Sequence, residues 1–298
     1  MGIVHRVLRG LPTSIDVALR FQPAWSGVLV VDGKVVRVYD EFARLLDRSH
    51  YTEDELAWRH KARFLCGIDY GSGDLPHYDL AETESKIDLV LYFRGLKSIH
   101  YPLKAIVCDG NPSIPVAARH VFGPGIIVQR CTRHFLQDLR QLLPSEKEQQ
   151  GERALLKSII SQIKQVIEAA TLEEAGAAYL VLRQTYRQYR HPIALAMYKR
   201  FEATKDPLTA HLQYPKLGLP HTSNDIENLF MQLAMRLKLI RRFYNFHYAR
   251  SYLNAWALRR RFTPYVACKG QRKYRNGKSP LQLAAVDTTG IDYLKLRR

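Results

Sequence analysis

The apolar run Val28-Leu29-Val30-Val31 stops at Asp32-Gly33 and is followed by Val36 and Val38 alternating with Val35, Arg37 and Tyr39. A short apolar run bounded by turn residues predicts a buried central strand. Asp-Gly predicts a tight turn, so residues 35–39 are expected to return as its hairpin partner. Lys61 to Asp69, with Phe64-Leu65-Cys66 at its centre, predicts a third strand. Thr83 to Lys97 carries Ile87, Leu91 and Leu96 at helical spacing behind a Thr83 cap. Leu103 to Cys108 is a second apolar strand running into Asp109-Gly110. Ile114 to Val121 predicts a helix and Gly125 to Gln129 another strand.

Beyond Cys131 the two-residue period disappears. Thr132–Leu143, Glu152–Ala170, Leu172–Tyr189 and Pro192–Thr204 all predict helices, punctuated by Pro144, Gly151 and Pro192. After the loop Tyr214 to Pro220, Thr222-Ser223-Asn224 offers caps for a helix whose apolar face is Ile226, Leu229, Phe230, Leu233 and Leu237. The expected fold class is α/β: a ribonuclease-H-like mixed sheet with a large all-helical insertion before the last helix of the core, and a basic helical C-terminal region. The expected divisions are a lead-in at 1–24, the first part of the core at 25–143, the insertion at 144–220, core completion at 221–265 and a tail at 266–298.

Composition narrows the class. With 46% hydrophobic and 10% aromatic residues the chain is globular, and its apolar runs are far shorter than a membrane span requires. The expectation is a soluble, cytoplasmic protein with reduced cysteines, because Cys66, Cys108, Cys131 and Cys268 form no paired framework. Charge changes the picture most. From Arg236 to Arg298 there are 16 Lys and Arg against only Asp287 and Asp292, whereas the preceding 235 residues carry a net charge of just +3. A basic segment interleaved with Phe243, Tyr244, Phe246, Tyr248, Tyr252, Trp256, Phe262 and Tyr265 points to a polyanionic partner, DNA, with no membrane association. The cations expected to meet phosphate are Arg241, Arg242, Arg259, Arg260, Arg261, Lys269, Arg272, Lys273 and Arg275.

Asp32 and Asp109 each follow an apolar strand and precede a glycine. Carboxylates raised on neighbouring central strands suit hard divalent cations, although Asp-Gly is also ordinary turn chemistry. Glu227 and Asp225 both lie in the first turn of the returning helix, where either could serve the helix N-terminus by charge. Cys131-Thr132-Arg133-His134 is a C-x-x-H pair at a strand-to-helix junction. It is half of a tetrahedral zinc set, but no second pair with ligand spacing follows, so packing and hydrogen bonding are the expected roles.

Taken in order, Val31-Asp32-Gly33, Val107-Cys108-Asp109-Gly110, Gln129-Arg130-Cys131-Thr132-Arg133-His134 and Thr222-Ser223-Asn224-Asp225-Ile226-Glu227 resemble the DDE transposases of the Mutator-like and related insertion-sequence groups. The resemblance spans roughly residues 25–285 and includes Asn276 to Leu281. It implies a ribonuclease-H-like core with Asp32, Asp109 and Glu227 as catalytic and metal-binding residues, and Cys131 and His134 as an associated pair. It also implies two Mg²⁺ or Mn²⁺ ions, DNA partners at element ends and target, and a homo-oligomer in the active complex. A non-catalytic transposase-derived DNA-binding protein and a ribonuclease-H-like nuclease are the competing expectations. Such transposases carry an N-terminal module that recognises element ends; here Leu8 to Leu19 is the candidate remnant of one.

Overall fold

A computed structural model describes residues 8–38, 61–145, 150–189, 191–240 and 242–297. Five strands form one mixed sheet in the order β3-β2-β1-β4-β5, with β1 at Val28–Arg37, β2 at Lys61–Asp69, β3 at Tyr78–Ala81, β4 at Ala105–Cys108 and β5 at Ile127–Arg130. The architecture is α/β and consistent with a ribonuclease-H-like fold, as the succession of sequence elements suggests. The chain divides into two compact units. One comprises residues 1–104, 112–126 and 224–298, the other residues 105–111 and 127–223.

In the first unit β1, β2 and β3 are antiparallel, and β2 pairs with β1 without interruption from Leu29↔Asp69 to Arg37↔Lys61. The expected Asp32-Gly33 turn and the hairpin strand at 35–39 are therefore corrected. β1 runs straight through Asp32 to Arg37, because a two-residue turn would sacrifice the ladder that β2 supplies along this whole length. The burial pattern still changes at Asp32: Val28 to Val31 are buried, while Asp32, Gly33 and Lys34 are partly exposed. The third antiparallel strand is instead β3, whose four residues have too short a pattern to stand out.

Helices cover both faces of these strands. α1 (Ser14–Phe21) begins with a capping box between Thr13 and Asp16, and α2 (Lys86–Ser98) with one between Ser85 and Asp88, which places the cap two residues beyond the expected Thr83. α2 packs on α3 (Ser113–Phe122). α2 also approaches the sheet closely at Gly67, where an added Cβ would lie 2.6 Å from the Tyr92 hydroxyl. On the opposite face lie α9 (Asn224–Ile240) and α10 (Phe246–Phe262). Alternation of side chains along β1 and β2 puts Val30, Asp32, Cys66 and Ile68 on one face. Ile68 lines the same cavity as Leu229, so this is the face that α9 covers.

The lead-in and the C-terminal region share a core: Leu11 and Val17 pack with Leu258, Phe262, Leu281, Val286 and Leu296. The C-terminal region is folded here, with a 3₁₀ turn at Gly270–Arg275 and a short helix at Pro280–Leu283.

His77 is buried beside this core. Its Nδ1 lies 2.9 Å from Ser14 Oγ, its ring packs tilted at 30° against Tyr92, and Gly95 leaves room for Nε2. Burial pulls its pKa down to about 4, with the Arg261 charge acting in the same direction and Asp79 opposing. Since the unfolded chain titrates near 6.5, it binds a proton between pH 6.5 and 4 that the native state refuses. The neutral ring's contribution is thus complete above about pH 6.5 and is lost as pH falls towards 4, a change of about 3 kcal/mol. Denaturant titrations at pH 7 and 4.5 should show a steeper acid loss in the native protein than in His77→Gln. Equal losses would show that His77 is not buried neutral.

In the second unit β4 and β5 are parallel, from Ala105↔Ile127 to Cys108↔Arg130. The helices are α4 (Thr132–Arg140), α5 (Gln150–Ile167), α6 (Leu172–Gln188), α7 (Pro192–Leu208) and α8 (Ala210–Gln213). Their core joins Phe135, Leu136 and Leu139 of α4 to Leu156, Ile159, Ile160, Ile163 and Ile167 of α5, with Leu182, Met197, Phe201 and Leu208 from α6 and α7. Gln129, fully buried, ties β5 to this helical block. Its amide donates to the carbonyl of Leu208 at 3.2 Å, and its carbonyl oxygen accepts from the His211 backbone at 2.8 Å.

Candidate active site

Asp32 stands in mid-strand on the α9 face of β1 and is partly exposed. Its Oδ1 accepts the Gly33 amide at 2.7 Å, which fixes the carboxylate on its own backbone. Gly33 projects to the other face, where an added Cβ would meet the Glu84 carboxylate at 3.0 Å. The glycine thus serves a close contact in place of the expected turn.

Asp109 follows the fully buried β4 directly, so the strand delivers it to the surface. Its Oδ1 accepts the Asn111 amide at 2.9 Å, an Asx turn that lets the chain leave the strand and start α3 at Ser113. Gly110 lies close to another side chain: an added Cβ would come within 2.8 Å of Arg130 Nη2. Arg130, the last residue of β5, therefore brings its guanidinium beside the loop that bears Asp109. It also pairs with Asp138 at 2.9 Å and covers the Phe135 ring. In the sequence Arg130 stands only as part of the stretch before the C-x-x-H pair, and its place beside Gly110 emerges from the fold.

Cys131 is buried and holds two pieces of chain together. Its amide donates to the Cys108 carbonyl at 2.7 Å, and its Sγ accepts the Ser223 amide at 3.4 Å. His134, one helical turn on, faces the same serine, with Nδ1 3.5 Å from Ser223 Oγ. The Thr132 amide donates to the His221 carbonyl at 2.9 Å. Residues 221–223 are in this way laid against the start of α4, and Ser223 is the last residue before α9. Ser223 was expected only as a cap; its bonds to both members of the pair become visible once the chain is folded.

Glu227 lies in the first turn of α9, partly exposed, next to the buried residues Ile226, Leu229, Phe230 and Leu233. Asp225, its neighbour in that turn, is engaged elsewhere: Arg272 grips it with both terminal nitrogens, one at 2.8 Å. Hydrogen bonding to Asp225 raises the Arg272 pKa above its ordinary value. Asp225 is thus committed to its ion pair with Arg272.

The protein-family model described as Transposase, Mutator family matches residues 86–258. The chain belongs to the Mutator family of transposases. A comparison with curated proteins finds no match. Within the family match lie Asp109, Arg130, Cys131, His134, Ser223 and Glu227; Asp32 precedes it. The match agrees with the Mutator-like resemblance of the sequence motifs. Among the described residues no helix is long and apolar enough to cross a membrane.

The cations expected to meet DNA separate into two groups in this transposase-family chain. Arg242, Arg259, Lys269 and Lys273 are exposed, and Arg260 is half-buried over the Tyr265 ring at 4.4 Å. Arg272 is held by Asp225. Arg261 and Arg275 are corrections: they are 0% and 6% exposed. Arg261 makes two 2.8 Å bonds to the buried Asp74, and Arg275 donates to the carbonyls of Tyr70 and Gly71. A guanidinium inside the protein with its bonds directed at protein oxygens has no route to phosphate. A helix through the core places every third or fourth residue inward, whatever its charge, and Arg261 falls on the same face as Leu258 and Phe262. Arg241 lies outside the described residues.

Proposed function

We propose that the chain is the catalytic core of a DDE transposase, which cuts DNA strands at the ends of a mobile element and joins them to target DNA using Asp32, Asp109 and Glu227. The observation that carries this reading is the role of Cys131. It bonds both Cys108, the residue before Asp109, and Ser223, four residues before Glu227. Glu227 belongs to the helix that covers the Asp32 face of β1. Each carboxylate stands on a regular element or directly beside one, and both aspartates are fixed by a backbone amide, as catalytic groups require.

The donor set fits divalent ions. Three carboxylates offer only hard oxygen ligands, and one oxygen of each aspartate is already oriented by a backbone amide. Asp32, Asp109 and Glu227 would hold two Mg²⁺ or Mn²⁺ ions. When bound, such ions activate an oxygen nucleophile for in-line attack at a backbone phosphorus and stabilise the leaving oxygen. The protein's own part is to orient the carboxylates. Cys131 and His134, both bonded to Ser223, hold the segment that starts Glu227's helix. Arg130 places a permanent positive charge beside Asp109, where it favours approach of the phosphate. DNA at element ends and target is the partner, and joining two ends calls for a homo-oligomer.

The test uses the whole chain with labelled DNA taken from the sequence flanking its own reading frame, plus a target plasmid. Cleavage that leaves 3′-hydroxyl ends, depends on Mg²⁺ or Mn²⁺, stops with a chelator and proceeds to joined products supports the proposal. Cutting without joining would move the chain to the hydrolytic nucleases. Binding without cutting, under every divalent ion, would leave a DNA-binding descendant of a transposase.

A further inference from the structure

The helical block of the second unit carries a basic cleft that the transposase site does not explain. A cavity of about 460 Å³ lies between the end of α4 and the outer face of α5. Its walls bear Arg140, Arg153, Lys157 and Lys164, its floor is apolar Leu143 and Ile160, and no acidic residue is among the described residues lining it. On α5 the spacing 153, 157, 164 returns to one helix face, so the three cations form a row about 16 Å long at 1.5 Å per residue.

The acids near the cleft among the described residues are paired, Glu168 with the row's own Lys164. Glu152 pairs with His191 at 2.6 Å, Asp138 with Arg130 at 2.9 Å, and Glu168 with Lys164 at 3.5 Å on the exposed rim. Arg140, Lys157 and Lys164 are exposed, and Arg140 and Lys157 make no ion pair among the described residues. The row continues along α4. Arg133, Gln137 and Arg140 occupy one exposed stripe, which starts beside His134 and ends at the cleft.

We propose that this cleft and stripe are a DNA-backbone track on the helical insertion, separate from the basic C-terminal region. A single phosphate ion would need one cluster of cations. A row spanning about 16 Å, with an apolar floor for sugar carbons, matches several successive phosphates of one strand. The stripe's start at the C-x-x-H pair gives the track its direction, carrying DNA that leaves the active site outwards over α4 and α5. This inference rests on the DNA-processing function proposed above.

The experiment measures duplex affinity of the whole chain by fluorescence anisotropy at several salt concentrations, with a chelator present so that no cleavage contributes. Each phosphate contact adds about 0.9 to the slope of log affinity against log salt. Neutralising the track with Arg140→Gln, Lys157→Gln and Lys164→Gln should lower that slope by about 2 to 3. The control, Arg183→Gln, Lys199→Gln and Arg200→Gln, removes the same charge from exposed positions of the same unit outside the cleft, and should change the slope by less than about 1. All six positions are exposed, so matching melting temperatures are expected and would exclude misfolding. An unchanged slope in the track variant, or an equal drop in the control, overturns the track. If the unaltered chain itself binds DNA with no salt dependence, the DNA function fails first, which is a distinguishable result.

Discussion

Asp109→Asn is expected to reduce strand cleavage by roughly a thousandfold or more, with DNA affinity and melting temperature close to those of the native chain. The substitution is nearly isosteric, and the amide oxygen can still accept the Asn111 backbone N–H that Oδ1 takes at 2.9 Å. The Asx turn that leads into α3 is therefore preserved. What disappears is the negative charge that a divalent ion requires. Asp32→Asn keeps its bond to the Gly33 amide in the same manner, and Glu227→Gln leaves the buried face of α9 untouched. Asp225→Asn supplies the contrast. It weakens the grip on Arg272 and should cost stability in place of turnover. Measured side by side, cleavage rate, affinity and melting temperature assign each acid. Metal-dependent cutting retained in any one of the three site variants removes that residue from the site.

Arg261→Met should cost about 3 to 5 kcal/mol of stability, the usual penalty for leaving one member of a buried ion pair alone. Arg261 and Asp74 are both fully buried, and the two guanidinium bonds of 2.8 Å are supplemented by the Trp25 indole, which donates to Asp74 at 3.0 Å. The adjacent Asp69, also buried, accepts from Ser26, Gly27, Ser72 and Tyr101. This polar core joins α10 to the loop after β2. Methionine fills much of the arginine's volume but leaves Asp74 charged and dry. Replacing both, as Arg261→Met with Asp74→Asn, should recover a large part of the loss, since no uncompensated charge remains. Denaturant unfolding gives the stabilities, and DNA affinity per folded molecule should be unaltered. A stable Arg261→Met protein with weakened DNA binding would return this arginine to the phosphate-binding set.

The recognisable elements were those with long periodic signals. The helices at 150–167, 172–188 and 224–240, and the strands ending at Asp69 and Cys108, are written in apolar spacing that both units simply bury. Short-range turn chemistry was the weaker guide. Asp32-Gly33 has the composition of a tight turn, yet an antiparallel partner of nine residues holds it extended. The four-residue β3 exists only because β2 offers an edge to it.

For the proposed site, the family resemblance of their order along the chain singles out Asp32, Asp109, Glu227 and the Cys131/His134 pair, while local pattern alone leaves the aspartates open to turn chemistry and Glu227 to helix charge. Tertiary structure alone decided which charges are available for work. It committed Asp225 to Arg272, sank Arg261 against Asp74, and brought Arg130 beside Gly110. Charge counted along a chain says that a polyanion will be attracted. Which side chains face it depends on long-range packing, since a guanidinium on the inner face of a helix finds its carboxylate 187 residues away.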